Sequence, residues 1–299
     1  MSASGLGLDP KLLLRLEQMS LVAKRRTRGT MQGKRRSKQL GASLEFADYR
    51  MYAPGDDIRR FDWGAYARTG KPFIKQFMDE QELQVNLYID VTRSMGFPLE
   101  EAAGNKLMYA RQLAACIGYM ALSGYDRVSA RLFSDRIVRE LPMLRGKGSV
   151  HRLFRFLSEA EAESGGDIAD AVMKPGAIPR QPGMTWIFSD FLYESGIEEA
   201  LNYLLAARQE VVVVQVLSEE EMRPALTGDL RLIDSESGTG KEVAVTARVI
   251  EAYQAAIRQY THGLKQFCHE RGMTYVLATT DVPVADAVLR SLREHGLLL

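Results

Sequence analysis

Cysteine and histidine are scarce in this chain, which has 2 cysteines and 4 histidines among 299 residues. Cys116 and Cys268 are far apart, and neither has a neighbour at a metal-binding spacing. A disulfide-stabilised scaffold is therefore excluded, and the pattern predicts two buried, reduced thiols, as is usual in a cytosolic protein. The histidines are scattered, and the H-E-x-x-H pattern of zinc peptidases is missing.

Excess charge and long apolar segments are missing as well. The chain has 39 basic and 38 acidic residues, and this balance excludes a nucleic-acid-binding polycation or an acidic buffer. Its most apolar runs, 113–122 and 211–217, are well short of the roughly 18 to 20 residues that cross a bilayer. Residues 1–10 lack the basic and then apolar pattern of a signal peptide. We therefore expect a cytoplasmic protein.

One local charge imbalance lies in residues 24–38, where eight basic residues occur without an acid. Gly29 and Gly33 interrupt the run and predict a loop. No aromatic residue is interleaved with the basic ones, so we expect no specific nucleic-acid partner. A solvated loop is the favoured interpretation. Peripheral contact with an anionic membrane, a phosphate or an acidic protein through this loop is the alternative.

From residue 83 onward, the apolar residues alternate between strand and helix periods. This alternation predicts an α/β fold with a doubly wound, mainly parallel sheet, preceded by an N-terminal extension. We place the domain boundary between 1–82 and 83–299, with a hairpin insertion at about 229–245. The predicted strands cover 85–90, 128–132, 137–141, 185–188, 211–217 and 273–277. The predicted helices cover 10–25, 107–121, 150–157, 197–207, 248–271 and 284–293.

Residues 45–63 combine aromatic side chains with charges of both signs. Pro54-Gly55-Asp56-Asp57 in their middle is typical of a turn. We interpret the segment as a packed loop, with arginine–aspartate ion pairs across the turn and aromatic anchors to a core. The predicted anchors are Phe46, Tyr49, Phe61 and Trp63.

Oxygen-bearing side chains follow two of the predicted strands, at the edge where a doubly wound sheet binds ligands. Asp90, Thr92 and Ser94 come after the first strand, Asp190 follows the strand at 185–188, and Asp167 lies in a loop between them. Such a donor set suits a hard cation, Mg²⁺ first, with Mn²⁺ or Ca²⁺ as alternatives. The same residue types also cap helices and close turns, which is the competing interpretation.

The spacing Asp90-x-Thr92-x-Ser94 resembles the D-x-S-x-S motif of von Willebrand factor A domains, where it forms a metal-ion-dependent adhesion site. This resemblance implies that Thr92 and Ser94 hold Mg²⁺ directly. It also implies that Asp90 and Asp190 orient metal-bound waters, and that a partner's Asp or Glu completes the shell. Asp167 aligns with the family's threonine, a departure that adds a negative charge.

A narrower resemblance covers about residues 10 to 295. The chain looks like an uncharacterised bacterial family in which a von Willebrand A-like domain follows a signature segment, and whose members commonly accompany MoxR-type AAA+ ATPases. The resemblance implies a non-enzymatic adaptor that links an ATPase to a client protein. The matching motifs are Arg36-Ser37, Gly41-x-x-x-Glu45-Phe46, Arg50-x-Tyr52, Pro54-Gly55-Asp56-Asp57, Arg59, Asp62-Trp63, Ala67-Arg68, Arg271-Gly272-Met273-x-Tyr275, Thr279-Thr280 and Pro283.

Two other functions compete with a metal-dependent adaptor. In the first, the metal site is degenerate and the protein docks through residues 45–63, with Arg59, Asp62 and Trp63 as contacts, since arginine and aromatic residues anchor interfaces. In the second, Asp90 is the nucleophile of a Mg²⁺-dependent phosphohydrolase. That chemistry requires a second acid two residues later, where Thr92 stands, so we expect no enzyme. A complete phosphate-binding loop is also missing.

Overall fold

The computed structural model describes residues 5–23, 46–77, 82–98, 105–163, 165–226, 228–233 and 240–298. They form two compact units. The sheet unit contains the described residues of 1–24 and 83–299, and the signature unit contains those of 25–82. The sequence analysis assigned the first helix to the N-terminal segment. In the structure it belongs to the sheet unit, because its apolar face is buried in the same core as the sheet.

From β3 onward the main strands and helices follow the predicted alternation, whereas α1 is shorter than predicted and β1, β2, α2 and α7 were not predicted. The strands are β1 (Phe46–Met51), β2 (Phe73–Phe77), β3 (Gln84–Asp90), β4 (Arg127–Phe133), β5 (Ile137–Arg145), β6 (Met184–Ser189), β7 (Glu210–Leu217), β8 (Gly228–Ile233), β9 (Gly240–Val245) and β10 (Thr274–Thr279). The helices are α1 (Pro10–Glu17), α2 (Trp63–Thr69), α3 (Lys106–Ser123), α4 (Val150–Ser158), α5 (Ile168–Val172), α6 (Ile197–Ala206), α7 (Glu219–Met222), α8 (Ala247–Glu270), α9 (Val284–Asp286) and α10 (Leu292–Glu294), with a π-helical turn at Ala287–Ser291.

The described part of the sheet unit has a six-stranded sheet in the order β10-β7-β6-β3-β4-β5. All neighbouring strands are parallel except β5, which is antiparallel to β4. Strands β6 and β7 are buried along their whole length, as expected for parallel strands covered on both faces. The prediction of a mixed α/β fold with a mainly parallel sheet is confirmed. Strands β8 and β9 form the predicted hairpin.

Helices cover both faces of this sheet. One apolar core lies under α1, α3 and α4, and a second lies under α5, α6 and α8. Both cysteines are buried, one in each core, and burial raises the pKa of each thiol to about 12. Within the described segments, no helix is long and apolar enough to cross a membrane.

Helix α1 is shorter than the predicted 10–25. Its start is as expected, because the Asp9 side chain accepts a hydrogen bond from the Lys11 N–H at 2.8 Å. The helix ends at Glu17 because the following residues pair with the end of the chain instead. Leu21 forms an antiparallel bridge with Leu298. A tertiary contact of this kind is invisible to a local pattern.

The signature unit has more regular structure than the predicted loop. Strands β1 and β2 pair in antiparallel fashion, and α2 lies between them in the chain. The predicted ion pair across the turn is confirmed, since Arg50 Nη1 donates to Asp56 Oδ2 at 2.8 Å. The predicted anchor at Trp63 is wrong, because Trp63 occupies the first position of α2 and is 63 % exposed.

Candidate functional site

The carboxyl ends of β3 and β6 lie side by side in the centre of the sheet. Ile89 pairs with Phe188 in parallel register, so Asp90 and the Ser189-Asp190 pair follow at neighbouring positions. This is the edge at which open α/β sheets bind ligands. The register therefore brings together two of the three predicted carboxylates.

Asp90 is fully buried, and both of its carboxylate oxygens accept hydrogen bonds. Oδ1 accepts from the Thr92 N–H at 2.8 Å, and Oδ2 accepts from Ser189 Oγ at 2.5 Å and from the Tyr193 hydroxyl. Burial, with a further contribution from the negative charge of Asp190, raises the pKa of Asp90 to about 6. The carboxylate is thus rigidly oriented, and a cation beside it would favour its charged form.

The hydroxyls of Thr92 and Ser94 point to the same place, with Thr92 Oγ1 and Ser94 Oγ 3.0 Å apart. Mg²⁺ binds oxygen at about 2.1 Å in octahedral geometry, so two adjacent ligands lie about 3.0 Å apart. The two hydroxyls form a hydrogen bond at this distance, and the same separation fits two neighbouring positions around one such ion. Thr92 also precedes a 3-10 turn at Arg93–Gly96 without capping it through its side chain. The Thr92 side chain does not cap this turn, but its N–H and the Asp90 carboxylate close a turn of the kind that the competing interpretation predicted.

Asp190 forms a buried ion pair that the sequence analysis missed. Its Oδ2 lies 2.7 Å from the Lys106 Nζ, and that ammonium also lies 2.6 Å from Glu221 Oε1. The side chains of Lys106 and Asp190 are 1 % and 2 % exposed, and that of Glu221 is 15 % exposed. Burial opposes the charged form of Lys106, but the two carboxylates outweigh it and raise the pKa of this amine.

Local structure explains how each member of this cluster is positioned. Lys106 is the first residue of α3, whose N-terminus is capped by Asn105. Glu221 lies in α7, directly after β7, where it forms a capping box with Ser218. The signal for Lys106 in the sequence is a lysine that opens an otherwise largely apolar helix. Its partners lie 84 and 115 residues away, so no spacing rule identifies them.

Asp167 has a different environment from the other two predicted carboxylates. Its Oδ1 accepts from the Ala169 N–H at 2.8 Å and so caps α5, as the capping interpretation predicted. It also packs against Gly196, because a Cβ built there would lie 2.4 Å from Asp167 Oδ1. The chain just before Asp167 contacts the loop that follows β3, since the Glu163 N–H donates to the Val91 carbonyl. Within the described residues, however, no hydrogen bond joins Asp167 to Asp90 or Asp190.

The described residues contain no group of three or more His, Cys, Asp and Glu side chains arranged to hold a metal. The structure instead places the Thr92 and Ser94 hydroxyls in the loop that follows Asp90, and Asp190 at the end of the neighbouring strand. The donor set that remains is Asp90, Thr92, Ser94 and Asp190, all oxygen ligands. Oxygen donors of this kind suit a hard divalent cation, and Asp167, which caps α5, shares no hydrogen bond with them within the described residues.

The three predicted docking residues of the signature unit divide into two kinds. Arg59 is 90 % exposed, with a 3.4 Å ion pair to Asp57, and Trp63 is also exposed. Asp62 is buried and holds the unit together. It accepts from the Ala65 N–H at 2.9 Å and from the Tyr49 hydroxyl at 2.7 Å, and these bonds hold its pKa well below the usual range. The basic residues 24–38, Gly41, Glu45 and Ser164 lie outside the described residues.

Curated relatives are found in mycobacteria. The chain is 31% identical over 265 residues to the uncharacterized protein Rv1480 of Mycobacterium tuberculosis, an alignment that covers 85% of this chain and 83% of that one. It is 28% identical over 116 residues to the uncharacterized protein MAV169 of Mycobacterium avium, covering 39% of this chain and 68% of that one.

Solved structures show weaker similarity. The conserved hypothetical protein BatB from Bacteroides thetaiotaomicron superimposes with a TM-score of 0.43 at 15% identity, covering 72% of this chain and 98% of that one. An aerotolerance-related membrane protein from Bacteroides fragilis superimposes with a TM-score of 0.42 at 13% identity, covering 71% and 99%.

A family profile matches most of the chain. It spans residues 48–263, from β1 in the signature unit to the middle of α8 in the sheet unit, and therefore includes the whole candidate site. Together with the mycobacterial relatives, this match shows that the chain belongs to DUF58, the family described as a protein of unknown function.

Proposed function

We propose that this chain is a non-enzymatic adaptor that binds a partner protein through a divalent cation at the carboxyl end of its sheet. Mg²⁺ is the expected ion, with Mn²⁺ and Ca²⁺ as alternatives. The observation that carries the proposal is the 3.0 Å separation of Thr92 Oγ1 and Ser94 Oγ beside the buried Asp90 carboxylate. In this proposal the fold is von Willebrand factor A-like and the site is a metal-ion-dependent adhesion site.

Each residue of the site has a role that its contacts support. Thr92 and Ser94 would hold the ion through their hydroxyls. Asp90 and Asp190 would orient its water ligands, because their carboxylates already accept hydrogen bonds that restrict their orientation. The bound ion would supply a Lewis-acidic contact for an Asp or Glu of the partner. Asp167 would support the neighbouring loop as a helix cap.

The nature of the partner is proposed from the family resemblance. A MoxR-type AAA+ ATPase in the cytoplasm is the expected partner, and the adaptor would present a client protein to it for maturation or remodelling. A phosphohydrolase is less well supported. The Asp90 oxygens are occupied by three hydrogen bonds, and the position of the required second acid is Thr92.

A second candidate is docking through the signature unit, independent of metal. It is favoured by the exposed aromatic cluster around Trp63, whose ring centroid lies 4.5 Å from that of Phe61 and 6.5 Å from that of Tyr66. Arg59 and Arg68, which lie close to Trp63 in the chain, are also exposed. An acidic protein surface is the partner that complements it.

Binding of the purified chain to a MoxR-type ATPase from the same organism, measured by biolayer interferometry with and without Mg²⁺, separates the two candidates. The metal-dependent adaptor predicts that EDTA and Thr92→Val each abolish binding, whereas Trp63→Ala leaves it intact. The second candidate predicts the reverse. Binding that survives both EDTA and Thr92→Val contradicts the metal-dependent proposal.

A further inference from the structure

The ammonium of Lys106 is buried, and proteins rarely bury a charge that has no structural or functional role. Lysine is almost never fully buried unless it is paired, and here it contacts two carboxylates that follow two different strands. One of them, Asp190, belongs to the proposed metal site. Lys106 is therefore a permanent cation beside the place where a second cation would bind.

The net charge of the cluster suggests the role of the Lys106 ammonium. Asp90, Asp190 and Glu221 contribute three carboxylates, and Lys106 contributes one ammonium, a net charge of −2 when all are ionised. One divalent ion balances that charge. Without Lys106 the same residues would carry −3 and would hold a divalent ion more tightly.

We infer that Lys106 is a charge-setting positioning residue, which lowers the affinity of the proposed site for its divalent cation and fixes the orientation of Asp190. This inference rests on the proposed metal site. Its consequence is that the ion alone binds weakly, so that a partner's carboxylate supplies a substantial part of the final affinity. Metal and partner would then bind cooperatively.

A purely structural role for Lys106 is the competing explanation. The ammonium joins the start of α3 to the ends of β6 and β7, and such a clamp stabilises the fold whether or not a metal binds. The two roles predict opposite effects on metal affinity. Loss of a clamp loosens the site and weakens binding, whereas loss of a like charge strengthens it.

A series of charge variants distinguishes these roles by Mn²⁺ titration, with free Mn²⁺ followed by electron paramagnetic resonance. Lys106→Met leaves the cluster at −3, Glu221→Gln at −1, and the double variant at −2. Glutamine also serves as the third residue of a capping box, so Glu221→Gln preserves the start of α7. Lys147→Met is the matched control, because it removes an exposed lysine that pairs with Glu17.

The inference predicts an order of affinities set by charge. Lys106→Met binds Mn²⁺ about tenfold or more tightly than wild type, and Glu221→Gln binds it about tenfold or more weakly, as expected for one buried unit charge. The double variant returns to near the wild-type affinity, and Lys147→Met does not change it. If Lys106→Met does not fold, the double variant is compared with Glu221→Gln, over which it must bind more tightly.

Results that contradict this inference can be distinguished from results that contradict the proposed function. Saturable binding in wild type that is unchanged or weakened by Lys106→Met overturns the inference and leaves the metal site standing. No saturable binding in any of the proteins contradicts both. Binding that appears only when Lys106 is replaced supports the inference, because the natural site then holds its cation too weakly without the partner's carboxylate.

Discussion

Both units contain an ion pair between a basic residue and an aspartate, but the two pairs differ greatly in burial. In the sheet unit, the Lys106–Asp190 ion pair is 1 % and 2 % exposed, and it borders a fully buried Asp90. In the signature unit, the Arg59–Asp57 pair is 90 % and 49 % exposed. Buried pairs are costly to break, whereas exposed pairs contribute little to stability. Within the described residues, the most deeply buried ion pair thus lies in the sheet unit, at the candidate site, and the most exposed one lies in the signature unit.

The largest expected effect is the loss of the buried pair. Asp190→Ala leaves Lys106 with one carboxylate and should lower the free energy of unfolding of the sheet unit by about 3 kcal/mol. Asp57→Ala, the matched change in the signature unit, should lower it by less than about 0.5 kcal/mol. Urea unfolding measures both: the fluorescence of buried Trp186 in a Trp63→Phe background reports the sheet unit, and that of Trp63 in a Trp186→Phe background reports the signature unit. Equal effects would contradict the contrast between the units.

A second, smaller effect on stability tests whether the Asp167 carboxylate lies against Gly196. Gly196 has φ +84° and lies against the Asp167 carboxylate, so Gly196→Ala combines backbone strain with a steric clash. We expect a loss of about 2 kcal/mol in the sheet unit. Gly55 has φ +101° but no atom near its Cβ position, so Gly55→Ala should cost about 1 kcal/mol. If the two costs are equal, Asp167 does not lie against Gly196.

The signature unit should have its own acid sensitivity. The Ala65 N–H and the Tyr49 hydroxyl hold the pKa of Asp62 below its unfolded value, which is about 3.9. Stability from these contacts is therefore present above about pH 4 and is lost as the pH falls toward the folded-state pKa. Trp63 fluorescence should report this loss, and Asp62→Asn should remove the dependence. An acid transition that is unchanged in Asp62→Asn would show that another group controls it.

The smallest effect on stability is expected at the exposed aromatic cluster. Trp63→Ala should change the free energy of unfolding by less than about 0.5 kcal/mol, because a surface substitution removes few buried contacts. The Trp63→Ala variant is informative for partner binding, because a loss of affinity without a loss of stability would identify a docking surface. Arg68→Ala on the same helix is the companion variant. A large loss of stability would show that Trp63 is structural.

The sheet and its helices could be predicted because each element is encoded locally. Alternation along β3 and the helical period of α3 need only neighbouring residues, and the predicted bounds agree within a few positions. In the signature unit, β1 and β2 were missed. Their pairing joins Met51 to Phe73 across an intervening helix, and neither strand has a long alternating pattern.

The site residues that lie close together in the chain, or directly after a recognisable strand, could likewise be predicted. Asp90, Thr92 and Ser94 share one loop, and Asp190 follows a recognisable strand. Lys106, by contrast, becomes part of the site only through contacts 84 residues away in the chain. Tyr193 likewise reaches Asp90 across 103 residues. Asp167 caps its own helix, as the competing interpretation predicted, and its place among the metal ligands stays a prediction.

The account depends most directly on whether the two hydroxyls hold a metal. A Mn²⁺ titration followed by electron paramagnetic resonance should show one saturable site in the wild-type chain. The site should be lost in the Thr92→Val/Ser94→Ala variant and retained in Ser158→Ala, where an exposed hydroxyl that bonds to its own helix is removed. Saturable binding that persists without both Thr92 and Ser94 hydroxyls, or its absence from both the wild-type chain and Lys106→Met, would contradict the account.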